Sequence, residues 1–156
     1  MTKLVVLITG VLGGIGMATA ELFHREGWYV VGVDKGNMSD SAVEIDRFFQ
    51  ADVADVSAWE EIAQKLTGEV ARVDGLVNNA AIQVCKPLVE TTPQEWDGVM
   101  GVNLRSVYLA VRYLYPLMRG GGGAVVNVSS VHAVATSANI AAYAASKGGC
   151  LLYTSD

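Results

Sequence analysis

Three side chains near the end of the sequence have the chemistry of a proton-transfer site. Tyr143 and Lys147 are four residues apart, so on a helix they share one face and lie within reach of each other. A free phenol is a poor base at neutral pH, because its pKa is about 10, but a neighbouring ammonium favours the phenolate. Ser130 offers a hydroxyl that can hold a substrate oxygen. Together these groups can exchange a proton with an alcohol or a carbonyl compound.

A glycine-rich loop near the start of the sequence has the spacing of a nucleotide-binding turn. The segment 9–16 reads TGVLGGIG and stands between an apolar run and a helical pattern. Gly10 permits a tight turn, and Gly14 and Gly16 allow the backbone to approach a pyrophosphate at a helix N-terminus. The chain has 17 glycines, so the spacing alone is weak evidence, and a turn without a ligand is the alternative. The position between a strand and a helix favours nucleotide binding.

An acidic residue closes the second apolar run, where it could hold an adenosine ribose. Asp34 follows the glycine loop, and its carboxylate can accept hydrogen bonds from both ribose hydroxyls. A carboxylate repels a 2′-phosphate, so the sequence predicts NAD rather than NADP. Lys35 argues the other way, because a lysine beside Asp34 would relax that preference. An ordinary acidic turn residue is the alternative interpretation of Asp34.

The elements that would position these residues alternate between strands and helices. Strands are predicted over 3–9, 28–33, 47–53, 75–78 and 124–129. Helices are predicted over 14–26, after capping boxes at Ser57/Glu60 and Thr92/Glu95, and from Ala141. This alternation predicts one α/β domain over residues 1–156, a doubly wound parallel sheet with helices on both faces.

Composition argues against several other classes of protein. The net charge is −5 and the pI is near 4.9, and an acidic chain repels the phosphates of nucleic acid. Hydrophobic residues make up 51% of the 156 residues and charged residues 17%, which excludes a disordered chain. Cys85 and Cys150 lack partners at metal-ligand spacing, and the uncharged stretches contain too many glycines for a membrane helix. We expect a cytoplasmic protein with no metal, membrane or nucleic-acid partner.

These motifs, in this order, resemble the short-chain dehydrogenase/reductase (SDR) family from residue 3 to about residue 149. The resemblance rests on the 9–16 loop, on Asp34, and on the segments 52–53, 78–81, 103, 127–130 and 143–147. It implies a Rossmann-type fold and NAD(P)-dependent interconversion of an alcohol and a ketone or aldehyde by hydride transfer. Ser130, Tyr143 and Lys147 would be catalytic, and Asn103 would complete a tetrad by holding a water that links Lys147 to solvent.

The resemblance also implies a set of residues along the cofactor. Glycine-loop residues would line its phosphates, Asp34 its adenosine ribose, the segment 52–53 its adenine, and Lys147 its nicotinamide ribose. The full set is Gly10, Gly14, Ile15, Gly16, Asp34, Asp52, Val53, Asn79, Ala80, Ala81, Tyr143 and Lys147.

Two features depart from the family's pattern. Ala81 stands where the family usually has Gly, a small change that we expect to be tolerated. The family also continues past the helix of Tyr143 and Lys147 with two more strands and a substrate-binding segment. We therefore expect a C-terminally truncated SDR that lacks the last strands and leaves its fifth strand at the sheet edge. At full length the resemblance implies a homodimer or tetramer that acts on a small alcohol or carbonyl substrate.

Two matters stay open at the level of sequence. A catalytically inactive nucleotide-binding module, or a fragment with no function of its own, is the alternative to an active enzyme. His132 is interpreted as a neutral loop side chain, with contact to substrate as the alternative.

Overall fold

The computed structural model describes residues 3–38 and 44–153, and within them five parallel strands form one sheet. The strands are β1 Val5–Thr9, β2 Tyr29–Asp34, β3 Arg47–Gln50, β4 Gly75–Asn78 and β5 Ala124–Asn127. Their order across the sheet is β3-β2-β1-β4-β5, so the winding changes direction between β1 and β4. Ligands of open α/β sheets bind beyond the strand ends at such a switch point. The predicted Rossmann-type parallel sheet is confirmed.

Helices follow the strands in the predicted alternation. In the described residues they are α1 Gly14–Arg25, α2 Val56–Glu69, α3 Pro93–Met100, α4 Ser106–Met118 and α5 Ala141–Leu151. A π-helical turn, Gly101–Arg105, joins α3 to α4, and single 3₁₀ turns span Leu88–Glu90 and Val131–Ala133. In this part of the chain no helix has both the length and the apolar character needed to span a bilayer.

Strand β1 contributes to two apolar cores because successive side chains of a strand point to opposite faces. Val5 and Leu7 join the core that α2 and α4 cover. Val6 and Ile8 join the core on the other face, together with Ala20 of α1. Every residue of β1 is buried, as expected for a strand covered by helices on both faces.

Helix α2 begins earlier than the sequence predicts, and the capping box proposed for Ser57 and Glu60 is wrong. Asp55 is the N-cap residue, and its carboxylate accepts the backbone N–H of Ser57 at 2.9 Å. The Ser57 hydroxyl donates to the same carboxylate at 3.0 Å, so Ser57 lies inside the first turn. The carboxylate takes the cap because a charged acceptor bonds backbone N–H groups more strongly than a hydroxyl does.

The second capping box, of Thr92 and Glu95, is confirmed at the start of α3. Thr92 Oγ1 accepts the Glu95 N–H at 3.2 Å, and Glu95 Oε2 accepts the Thr92 N–H at 2.9 Å. Lys86 Nζ donates to Glu95 Oε1 at 2.7 Å. The Lys86 hydrogen bond and the capping bonds lower the pKa of Glu95 to about 2. The loop after β4 is thereby tied to α3.

Strand β5 is the outer strand on its side of the sheet, as predicted. Among the described residues it pairs with β4 alone, and Val125 and Val126 are 43% and 53% exposed. In the part of the chain that the structure describes, the sheet therefore has an open edge next to the segment that carries Ser130.

Candidate active site

Hydrogen bonds between the ends of β1 and β4 form the floor of the site. Buried Thr9 places its Oγ1 where it accepts the N–H groups of Asn79 at 3.0 Å and Ala80 at 3.1 Å. The Asn79 side-chain amide donates to the carbonyls of Thr9 and Gly10, both at 3.0 Å. Two loops that are 70 residues apart in the sequence are thus held as one surface at the switch point.

The glycine loop has the shape of a phosphate cradle. Gly10 has a φ of +64°, and a Cβ atom there would lie 2.8 Å from the Cα of Ala80. A Cβ atom at Gly16 would lie 2.1 Å from the carbonyl oxygen of Gly10. At Gly14, by contrast, a Cβ atom would meet nothing within 4 Å, and α1 begins here without a side-chain cap. A helix N-terminus with open space in front of it suits an anion such as a pyrophosphate.

A cavity of about 100 Å³ lies beside this loop. Asp34 is fixed at its wall, because Oδ2 accepts the Leu12 N–H at 3.0 Å and Oδ1 accepts the Gly36 N–H at 2.9 Å. Each carboxylate oxygen has a further lone pair that a ribose hydroxyl could use. Half of the predicted cofactor-binding residues line the cavity: Gly10, Asp34, Asp52, Val53, Ala80 and Ala81.

Lys147 is a buried cation of α5. The residue is only 3% exposed, and its Nζ donates to the carbonyl of Val128 at 2.6 Å. The same nitrogen is 5.8 Å from the centroid of the Tyr143 ring, so the two predicted partners do lie together. Loss of hydration on burial lowers the pKa of Lys147, against a smaller opposing effect of Cys150. Ser129 Oγ donates to the Lys147 carbonyl at 2.9 Å, which fixes α5 to the segment after β5.

Asn103 lies in the π turn and is buried. Its Oδ1 accepts the Ile82 N–H at 2.8 Å, and its Nδ2 donates to the Ile82 carbonyl at 2.9 Å and to Ser146 Oγ at 3.0 Å. The Asn103 carbonyl accepts the thiol of Cys150 at 3.3 Å. Asn103 therefore joins the loop after β4 to α5, while its part in a water relay stays a prediction.

Ser130, in the loop between β5 and α5, and Tyr143, in the first turn of α5, both contact His132. Ser130 Oγ accepts the backbone N–H of His132 at 3.2 Å and caps the 3₁₀ turn there. The ring of Tyr143 lies edge-on to the imidazole of His132, with ring centroids 6.2 Å apart and an interplanar angle of 75°. His132, interpreted from the sequence as a neutral loop side chain, is thus in contact with both residues.

Sequence reasoning misses three residues that build the site. Thr9 carries a recognisable signal, a polar side chain at the end of an otherwise apolar buried strand. Ile82 contributes backbone groups, for which no sequence signal exists. Cys150 looks like an ordinary small apolar residue, and its bond to the π turn depends on the tertiary fold.

The comparisons with known proteins identify the family. A model of the family described as short chain dehydrogenase matches residues 4–156. The chain belongs to the short-chain dehydrogenase family. The family membership predicted from the sequence motifs is therefore confirmed.

Relatives that this family member resembles include cyclopentanol dehydrogenase of Comamonas sp., which is 35% identical over 96% of the chain and 64% of that protein. The NADP-dependent (R)-specific alcohol dehydrogenase of Lentilactobacillus kefiri is 33% identical over 92% of the chain and 61% of that protein. The crystal structure of a metagenomic short-chain oxidoreductase in complex with NADP has a TM-score of 0.86 and 30% identity, and the match covers 96% of the chain and 71% of that structure. The chain spans 59–64% of the length of these two curated dehydrogenases and of the D-threitol dehydrogenase of Mycolicibacterium smegmatis.

The close packing of Gly16 predicts a sharp difference between two glycines of the loop. We expect Gly16→Ala to lower the free energy of unfolding by about 1–3 kcal/mol or more, because the new methyl group overlaps the Gly10 carbonyl. Gly14→Ala is the matched control for stability, because its Cβ atom has free space and alanine favours a helix. Urea unfolding measures both, and equal stability of the two variants would contradict this packing.

The burial of Lys147 predicts a pH-dependent stability. The folded pKa lies below the ordinary value of 10.5, so as pH rises through it the folded protein releases the proton before the unfolded chain does. The unfolded state then binds more protons than the folded state, so the free energy of unfolding increases as the pH rises. We expect the free energy of unfolding of the wild type to increase relative to that of Lys147→Met between about pH 7 and pH 10. Urea unfolding of both proteins over this range measures the difference. Parallel stability curves would show that Lys147 is hydrated in the fold.

Proposed function

We propose that the chain carries the cofactor site and the proton-transfer residues of an NAD-dependent oxidoreductase that interconverts an alcohol and a ketone or aldehyde. The observation that carries the proposal is the buried ammonium of Lys147, 5.8 Å from the Tyr143 ring centroid. A cation is costly to bury, so its position beside a phenol suggests that it stabilises negative charge on the phenol oxygen. The alcohol dehydrogenases among the relatives support the same reaction class.

The choice of NAD rests on Asp34. Its carboxylate is fixed at the cavity wall by two backbone N–H groups, and a 2′-phosphate at the same place would meet its negative charge. Lys35 also lines the cavity and works against this preference. Relatives that use NADP exist in the family, so the proposal depends on the carboxylate and on no relative.

The division of labour among the residues follows from their chemistry. The nicotinamide, when bound, supplies the hydride acceptor or donor. Tyr143 Oη accepts the hydroxyl proton of an alcohol, or returns a proton to a carbonyl oxygen in the reverse direction. Lys147 stabilises negative charge on that phenol, and Ser130 donates a hydrogen bond to the substrate oxygen. Asn103 holds the π turn against α5 and so fixes the helix that carries Tyr143 and Lys147.

Location and assembly are part of the same proposal. Cys85 and Cys150 are free thiols, which suits the reducing environment of the cytoplasm. We propose a cytoplasmic protein that forms a homodimer or tetramer at full length, as the family resemblance implies.

The proposal predicts that Tyr143→Phe separates binding from turnover. Loss of the phenol oxygen should lower turnover by about 10²–10⁴-fold, because proton transfer is lost, while NADH affinity changes little. NADH fluorescence titration and assays with a panel of secondary alcohols and ketones measure the two. Tyr115→Phe is the control, because Tyr115 is 57% exposed on α4. Unchanged turnover in Tyr143→Phe would refute the assignment, and NADH binding without turnover in the wild type would favour the inactive nucleotide-binding module.

The role of Asp34 predicts a change of cofactor preference. Asp34→Asn removes the charge that repels a 2′-phosphate and weakens the bonds to the ribose diol. We expect the ratio of the NADPH and NADH dissociation constants to move towards NADPH by about tenfold or more. Glu61→Gln removes a carboxylate from the exposed face of α2 and should leave the ratio unchanged. An unaltered ratio in Asp34→Asn would place the ribose elsewhere.

A further inference from the structure

We propose that His132 is a positioning residue that orients Ser130 through its backbone and Tyr143 through its ring. The inference rests on the proposed function, because it takes Ser130 and Tyr143 as the pair that handles the substrate oxygen and its proton. Two independent contacts of one residue carry it, one to each member of the pair.

The first contact determines how the hydroxyl of Ser130 can be used. A serine hydroxyl has one proton and two acceptor positions. The His132 N–H occupies an acceptor position at 3.2 Å and sets the direction from which Oγ is approached. The Ser130 proton is left to donate to another oxygen, which is the role that the reaction asks of it.

The second contact holds the ring that carries the phenol. A centroid separation of 6.2 Å and an angle of 75° are typical of an edge-to-face aromatic pair. Lys147 Nζ lies 5.8 Å from the same Tyr143 ring, so a tilt of that ring would change the distance between phenol and ammonium. Small displacements of reacting groups cost large factors in rate, so support of this ring by His132 matters for turnover.

The state of the imidazole nitrogen shows which property of His132 is used. His132 Nδ1 is buried and has no hydrogen-bond partner within the described residues. The contact with Tyr143 therefore depends on the planar ring and not on a hydrogen bond from that nitrogen. Phenylalanine should replace histidine here, whereas leucine, of similar bulk but without a ring edge, should not.

The experiment compares His132→Ala, His132→Leu and His132→Phe with Val134→Ala in the full chain. Val134 is 83% exposed in the same loop and serves as the matched control. Ring-labelled tyrosine gives an NMR signal for Tyr143, assigned by its loss in Tyr143→Phe. We expect one narrow Tyr143 signal in the wild type, His132→Phe and Val134→Ala, and a broadened or doubled signal in the alanine and leucine variants.

Kinetics with NADH and a ketone provide the second readout. We expect the alanine and leucine variants to lose about tenfold or more in kcat with little change in KM, and His132→Phe to recover most of the loss. A narrow Tyr143 signal and full kcat in both variants would overturn the proposal. So would a raised KM shared by all three His132 variants, because it would show that the imidazole nitrogen contacts substrate. If the wild type lacks turnover, the proposed function fails, but the NMR comparison still shows whether His132 holds the Tyr143 ring. If His132→Ala unfolds the chain, the comparison of His132→Leu with His132→Phe answers the same question.

Discussion

The site depends on one buried hydroxyl. Thr9 ends a strand whose other residues are apolar, and its oxygen accepts two consecutive backbone N–H groups of the loop after β4. Without that acceptor, two partly buried N–H groups would lack this partner, and an unsatisfied buried donor costs about 1–3 kcal/mol. The hydroxyl therefore fixes how far the two loops stand apart, and with them the width of the crevice at the switch point.

Buried polar groups also attach α5 to the rest of the domain. Lys147 donates to the carbonyl of Val128, and Asn103 donates to Ser146, so α5 is bonded to both the segment after β5 and the π turn. Burying such groups costs hydration, and hydrogen bonds of good geometry offset that cost. The attachment sets the orientation of the helix face that bears Tyr143 and Lys147, which packing of small alanine side chains alone would leave loosely defined.

The sequence predicts local features of this structure well and long-range ones poorly. β4 and the capping box of Thr92 and Glu95 are found because their signals lie within a few residues. The cap of α2 is misjudged because Asp55 and Ser57 are both good N-cap residues two positions apart, and in the fold the Asp55 carboxylate accepts the Ser57 N–H. The amide of Asn103 bonds Ile82, 21 residues away, and Ser146, 43 residues away, and no local pattern encodes such partners. Family resemblance supplies the predicted site residues, while their hydrogen bonds can be read only from the fold.

The number of residues in the π turn between α3 and α4 sets the rotation of α4 relative to α3. In a regular α-helix each residue advances by about 100°, so removing one residue from the turn would rotate everything beyond it by that angle. Asn103 would leave Ser146, or the buried side of α4 with Leu114 and Leu117 would turn away from the sheet. Helices usually tolerate small slips better than strands do, but here the residue count is as strict as the register of a β-ladder. Over residues 101–105 the number of residues, and not only their types, therefore affects the geometry of the candidate active site.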